Sequence, residues 1–229
     1  MTSSKAIAKI SVIVAAKHPA LYLEDAITSI ASQTFKPLEI LVIESGERED
    51  LGKLETSIPM KFIKQTGTGL AQAWNQGIEA AAGTHVSWLD SDDIWLPHAL
   101  ERHAMTLSAS EYQGVSVGRV KFWTESRTSV TGFNSNLLEE SHLAYMPGCS
   151  VVEKSLVTEV GSFREDLGVA TDIEWFARLR TIKIAVELSD VVLHKRVHKT
   201  NLSYGAINTN YNQDLLNALH AHLQRGANN

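Results

Sequence analysis

A chain of 229 residues with 44% hydrophobic content can bury a sizeable core, which argues against disorder and fits one large α/β domain. The formal net charge is −5, with no Lys/Arg block and no aromatic-basic stripe, so polymeric nucleic acid is not an expected partner and any bound phosphate needs a metal or backbone donors. Cys149 is the single cysteine and excludes an intramolecular disulfide framework; with Lys9 interrupting the apolar start and no run of about 18 apolar residues, the expectation is a cytoplasmic protein without a transmembrane segment.

Residues 10–15 form a short apolar, β-branched run, and 21–33 then place Leu23, Ala26, Ile27 and Ile30 at helical spacing. A second unit follows, with a strand over 38–43, a polar turn at 44–47 and a short helix over 48–56. A strand over 61–64 leads through Gly67 and Gly69 into a helix ending at Ala82, before Gly83. The apolar run 85–89 is the fourth strand. Strand and helix alternate throughout, which predicts a parallel sheet with right-handed crossovers.

Beyond Ser110 the pattern changes. Residues 114–123 and 126–133 read as antiparallel strands around a turn, 154–160 and 172–180 as helices, and 184–188 and 191–197 as two more strands. A final helix presents Leu215, Leu216, Leu219 and Leu223 on one side. The expected organisation is a single domain over 1–229, with a nucleotide-binding half over about 9–110, an acceptor-facing half over about 111–205 and a C-terminal helix over 206–229.

Three carboxylates, Asp90, Asp92 and Asp93, sit at the end of the fourth strand, before Pro97. In an open α/β sheet the carboxyl ends of strands line the crevice where ligands bind, and two acids one residue apart can face one divalent ion. Acidic turns also occur as helix caps, so on these residues alone a cation site and a cap for a helix after Trp95 both stand.

Eight segments in this order resemble the family 2 glycosyltransferases of GT-A fold, over about residues 9–205. They are SVIV at 11–14, AITSIASQT at 26–34, EILVIESG at 39–46, GLAQAWNQGI at 69–78, AGTHVSWLDSDDIWLP at 82–97, VGSF at 160–163, DIEWFAR at 172–178 and RVHKTNLS at 196–203. The resemblance implies a mixed, mainly parallel sheet flanked by helices. It also implies transfer of a sugar, with inversion, from a UDP, dTDP or GDP sugar to a hydroxyl of a saccharide or lipid-linked acceptor, in cell-surface polysaccharide or glycolipid assembly. Mn²⁺ or Mg²⁺ would be held by Asp92 and by His198, while Ala15, Glu44, Asp90, Ser91 and Asp92 would shape the nucleotide-sugar site. Asp172 would be the general base, a role that coexists with an N-cap reading.

Several positions depart from the family pattern. Thr171 stands where a first acid is common, leaving Glu174 as a weaker second candidate. Glu44 and Ser45 replace aspartates, Ala15-Ala16-Lys17-His18 replaces a segment with a stacking aromatic, and Trp74 replaces an arginine. Arg196 and Lys199 are alternative diphosphate partners. On the acceptor side, Gly148 in 146–150 would admit a sugar to the backbone, and Trp123 and Trp175 are candidates for ring stacking or, as is commoner for such residues, for core packing. A nucleotidyltransferase would carry a Gly-rich basic loop after the first strand, which is lacking. A catalytically weak nucleotide-sugar-binding module on the same fold remains the alternative.

Overall fold

The computed structural model describes residues 8–47, 56–109, 114–124, 135–198 and 201. The expected elements over 126–133 and 206–229, including Leu215, Leu216, Leu219 and Leu223, lie outside them, as do Lys199 and all of the expected helix over 48–56 except Thr56.

Strand β1 (Ile10–Lys17) pairs in parallel with β2 (Glu39–Ser45) on one side and β4 (His85–Asp90) on the other, and β3 (Met60–Lys64) extends β2 in parallel. Helices α1 (Leu23–Ala31) and α2 (Leu70–Ala80) make the crossovers. The side-chain period of 2 divides these strands between two cores. Val12 and Val14 of β1 and Ile40 and Val42 of β2 join Leu23, Ile27 and Ile30 of α1 on one face. Ile13, Leu41 and Ile43 join Ala73 and Trp74 of α2 on the other. Burial on both faces is why these strands read as unbroken apolar runs. Helix α2 crosses β1 closely at Gly77, where a Cβ would run into the Ile13 side chain.

After β4 come β5 (Ile94–Trp95), α3 (Ala99–Ser108), β6 (Val115–Trp123), β7 (Ser141–Leu143), β8 (Ser150–Glu153), α4 (Lys154–Val160), α5 (Thr171–Ile182) and β9 (Val186–Arg196). The sheet order is β3-β2-β1-β4-β8-β6-β9-β5, with β7 on β6. Strand β8 is antiparallel to β4 and to β6, β9 is parallel to β6, and β5 is antiparallel to β9. The expectation of a mixed, mainly parallel sheet flanked by helices holds.

One detail differs from the sequence reading. The polar Ser189-Asp190 pair splits the hydropathy pattern of residues 184–197, yet β9 runs through it as one strand, taking up the irregularity as register shifts against β6. Among the described residues β6 is antiparallel to β7 and β8; the expected hairpin partner over 126–133 lies outside them.

Candidate active site

Ala15, Glu44 and Asp90 stand at the carboxyl ends of three adjacent parallel strands, with Ala15 opposite Asp90 and Ala16 opposite Glu44. Glu44 lies 3.0 Å from Nε2 of His18, whose side chain is buried. Lys17 is exposed. Immediately after β4 the chain turns sharply, the Asp93 N–H donating to the Asp90 carbonyl, and Ser91 sits half-buried in the turn. Carboxylate oxygens of Asp90, Asp92 and Asp93 all fall within 4.8 Å of one another.

The three acids have different surroundings. Asp93 is fully buried and accepts from Lys195 Nζ at 2.9 Å and from the Arg196 backbone N–H at 2.8 Å. Helix α3 starts at Ala99 behind His98, so the expected cap role of Asp93 gives way to pinning of β9 to the acid turn. Burial, opposed by Lys195 and reinforced by the charges of Asp90 and Asp92, pushes the Asp93 carboxyl up to about 7. The same ammonium donates to Asp90 at 3.0 Å. Burial works against the Lys195 charge, but Asp93, Asp90 and Asp92 together keep it protonated well above the usual lysine value. Asp92 has different partners. Its Oδ2 lies 3.0 Å from His198 Nε2 and accepts from Asn201 Nδ2 at 2.9 Å, while Asn201 Oδ1 accepts the His198 backbone N–H at 2.6 Å.

Arg196 is buried at 2% exposure, which overturns a direct diphosphate contact for this side chain. Its guanidinium lies between the rings of Tyr22, at 4.1 Å, and Trp123, at 4.5 Å. It donates to the Asp92 carbonyl at 3.0 Å and to Asp25 Oδ2 at 2.8 Å. Tyr22 also packs against His198, with ring centroids 5.1 Å apart and the rings tilted by 45°. Sequence reasoning missed Lys195, Asn201, Tyr22 and Asp25 as members of this cluster. Asn201 lay within the matched segment 196–203; Tyr22 and Asp25 carry no sequence signal.

Asp172 occupies the first turn of α5. The cap position belongs to Ala170, so the expected N-cap role is not the one found; Asp172 Oδ1 instead accepts the N–H of Ile173 at 2.8 Å. Burial, countered by that N–H and by Lys195 and increased by the charge of Asp90, raises its carboxyl to about 6. The influence of Asp90 and Lys195 puts Asp172 in the electrostatic field of the acid turn. Glu174 is buried with both oxygens 3.0 Å from Arg178 Nε, which removes it as an alternative base. Thr171 is buried and its hydroxyl donates to the Arg164 carbonyl at 2.8 Å.

On the acceptor side Trp175 takes the core-packing alternative: it is fully buried, stacks on Phe163 and donates its indole N–H to the Gly161 carbonyl. Trp123 is half-buried, with Arg196 over its ring. Gly148 is small because Leu193 packs on it, a Cβ there coming within 2.9 Å of Leu193 Cδ2, and its carbonyl accepts the Trp95 indole N–H. Trp74 is likewise buried, against Phe163, while Asn75 clamps the Phe163 backbone with two hydrogen bonds of 2.9 Å. Burial raises the Cys149 thiol far above its usual value, which excludes a thiolate nucleophile.

The donor set suits a divalent ion. Two ligands on adjacent vertices of an octahedron with bonds of about 2.1 Å stand about 3.0 Å apart, which is the separation of Asp92 Oδ2 and His198 Nε2. A carboxylate with an imidazole fits Mn²⁺ better than Mg²⁺.

Residues 11–152 match the sequence model of glycosyl transferase family 2. The chain belongs to that family. An uncharacterized glycosyltransferase of Nostoc sp. is 37% identical over 113 residues, covering 47% of this chain and 35% of that protein. One of Rickettsia typhi is 27% identical over 218 residues, covering 87% and 67%. This family 2 chain thus spans about a third and about two thirds of the length of these two relatives. Among solved structures, S. aureus TarS 1-349 in complex with UDP-GlcNAc aligns with a TM-score of 0.67 at 17% identity, covering 94% of this chain and 73% of that one. The mannosyltransferase PcManGT from Pyrobaculum calidifontis, in complex with GDP-Man and Mn²⁺, aligns at 0.66 and 19% identity, covering 99% and 66%. The fold of this family 2 chain is therefore GT-A. No helix among the described residues is long and apolar enough to cross a membrane.

Proposed function

We infer that this protein transfers a sugar from a nucleoside-diphosphate sugar to an acceptor hydroxyl with inversion, using a divalent metal. One observation carries the reading: Asp92 and His198 meet at 3.0 Å at the rim of the sheet, beside Asp90. The neighbours bound to UDP-GlcNAc and to GDP-Man with Mn²⁺ support a uridine or guanosine donor.

On this reading Asp92 and His198 hold Mn²⁺ or Mg²⁺, which when bound offsets the negative charge that grows on the departing diphosphate. Ala15, Glu44, Asp90 and Ser91 line the nucleoside side. Glu44 reads an N–H of a uracil, thymine or guanine base, held in place by His18. Asp172 takes the proton of the acceptor hydroxyl as its oxygen attacks the anomeric carbon and the bond to diphosphate breaks on the opposite side. One carboxylate suffices for such a single displacement, and Glu174 is committed to Arg178. A cytoplasmic location and a role in surface polysaccharide or glycolipid assembly complete the proposal.

The test is a thermal-shift screen of UDP, GDP and dTDP with and without Mn²⁺, followed by nucleotide release from a panel of the matching sugars. Metal-dependent stabilisation together with nucleotide release supports the transferase. Tight nucleotide binding with no release from any donor, in the presence of saccharide acceptors, replaces it with a binding module.

A further inference from the structure

Three acids crowd the turn after β4, but a protein side chain already neutralises part of that charge. Lys195 reaches back from the end of β9 and places one ammonium 3.0 Å from Asp90 and 2.9 Å from Asp93. An ammonium carries three N–H donors, and two are directed at these carboxylates. The arrangement is built: Lys195 and Asp93 side chains are 16% and 1% exposed, and the adjacent Arg196 backbone N–H closes the second oxygen of Asp93. Asp92, within 4.8 Å of both, bonds instead to His198 and Asn201. One acid turn thus holds two sets of partners, an ion pair with Lys195 and a carboxylate–imidazole pair.

We propose that Lys195 is a positioning residue that ties up Asp90 and Asp93 in an ion pair, although their oxygens lie within 4.8 Å of those of Asp92, so that the protein alone offers a divalent ion chiefly Asp92 and His198 and binds it weakly until a nucleoside diphosphate supplies further oxygens. This rests on the metal-dependent reading above and deepens it. Two protein ligands leave most of an octahedral shell to water or phosphate. Metal and nucleotide then strengthen each other's binding, and by linkage each does so by the same factor. Without Lys195, Asp90 becomes available to the ion and the nearby positive charge that repels it is gone. Metal binding then no longer waits for the nucleotide.

The experiment is a Mn²⁺ titration followed by electron paramagnetic resonance, with and without UDP or GDP, on the wild-type protein and on Lys195→Met, Lys195→Arg and Lys195→Met/Asp93→Asn. The double variant removes the buried acid that Lys195→Met would leave uncompensated, so a folded protein is available if the single variant fails to fold. The expected result is weak Mn²⁺ binding by wild type and Lys195→Arg that nucleotide strengthens. Lys195→Met or the double variant binds Mn²⁺ alone about tenfold more tightly or better, with the nucleotide enhancement correspondingly reduced. Folded variants with wild-type Mn²⁺ affinity overturn the proposal and leave Lys195 a purely structural ion pair. Loss of nucleotide affinity measured without metal, at unchanged Mn²⁺ affinity, overturns it in favour of a direct diphosphate contact. If wild type takes up no Mn²⁺ even with either nucleotide, the metal-dependent function itself has failed, a result separate from equal affinities across the variants.

Discussion

Asp92 and His198 are 106 positions apart in the chain and 3.0 Å apart in the fold. They meet because β9 runs parallel to β6 and delivers its carboxyl end beside the turn that follows β4, where Arg196 locks the two segments together through the Asp92 carbonyl. If the pair holds the metal, Asp92→Asn keeps the fold but abolishes the Mn²⁺-dependent part of the nucleotide thermal shift. Asn201 bonds to both members, and outer-shell partners of this kind set ligand orientation, so Asn201→Ala lowers Mn²⁺ affinity by about 10- to 100-fold. Calorimetric titration with Mn²⁺ and UDP or GDP checks both; an Asn201→Ala variant of wild-type affinity rules out the orienting role.

The pH dependence follows from Asp172. A general base must be ionised, and this carboxyl is raised to about 6, so kcat falls as pH drops below about 6. Asp172→Asn lowers kcat by about 10²- to 10⁴-fold with little change in donor affinity, a split that single-turnover kinetics resolves. Stability moves the other way. A carboxyl whose folded-state value exceeds 3.8 binds its proton more tightly when folded, so its contribution to stability is lost as pH rises from about 4 through about 6. The melting temperature of Asp172→Asn relative to wild type is therefore higher at pH 8 than at pH 4.5, and the reverse ordering would contradict the raised value.

Arg196 tests how far the acid turn depends on its tether. Arg196→Met keeps part of the packing between Tyr22 and Trp123 but removes the charged hydrogen bonds to the Asp92 carbonyl and to Asp25, at a cost of about 2–4 kcal/mol in denaturant unfolding. Asp25 is half exposed, so Asp25→Asn costs well under half as much. Equal losses for the two variants would mean that the helix α1 pair, not the tie to Asp92, is what Arg196 provides.

The parts of this molecule legible in its sequence are those set by local pattern. Strands β1, β2 and β4 are apolar on both faces and bounded by turn residues, so 10–15, 38–43 and 85–89 are visible without a fold. Strands β5 and β7, of two and three residues, are too short to show a period, and β9 is hidden by Ser189 and Asp190 in its middle. The acid turn is visible because its members are adjacent. Lys195 is not, because its bonds to Asp90 and Asp93 bridge 105 and 102 positions and exist only once β9 lies beside β6. Trp175 keeps two readings in the sequence for a related reason: hydropathy cannot tell a ring that stacks on a sugar from one stacked on Phe163.

The close crossing of α2 over β1 connects core packing to the donor site. A Cβ on Gly77 would strike Cγ2 and press on Cγ1 and Cδ1 of Ile13, two residues before Ala15. Interiors packed to crystal-like density do not absorb a methyl group there without moving a strand or a helix. Gly77→Ala is expected to cost about 1–3 kcal/mol by overpacking, although alanine favours the helix itself. Ile13→Ala/Gly77→Ala removes Cγ2, Cγ1 and Cδ1, the three atoms of the collision, so the double variant loses less than the sum of the two single losses; the coupling in a double-mutant cycle is favourable and on the order of 1 kcal/mol. Displacement of β1 carries Ala15 with it. The nucleotide thermal shift therefore falls in Gly77→Ala and returns with the double variant, and additive free energies in the cycle would show that the helix and the strand do not meet at this point.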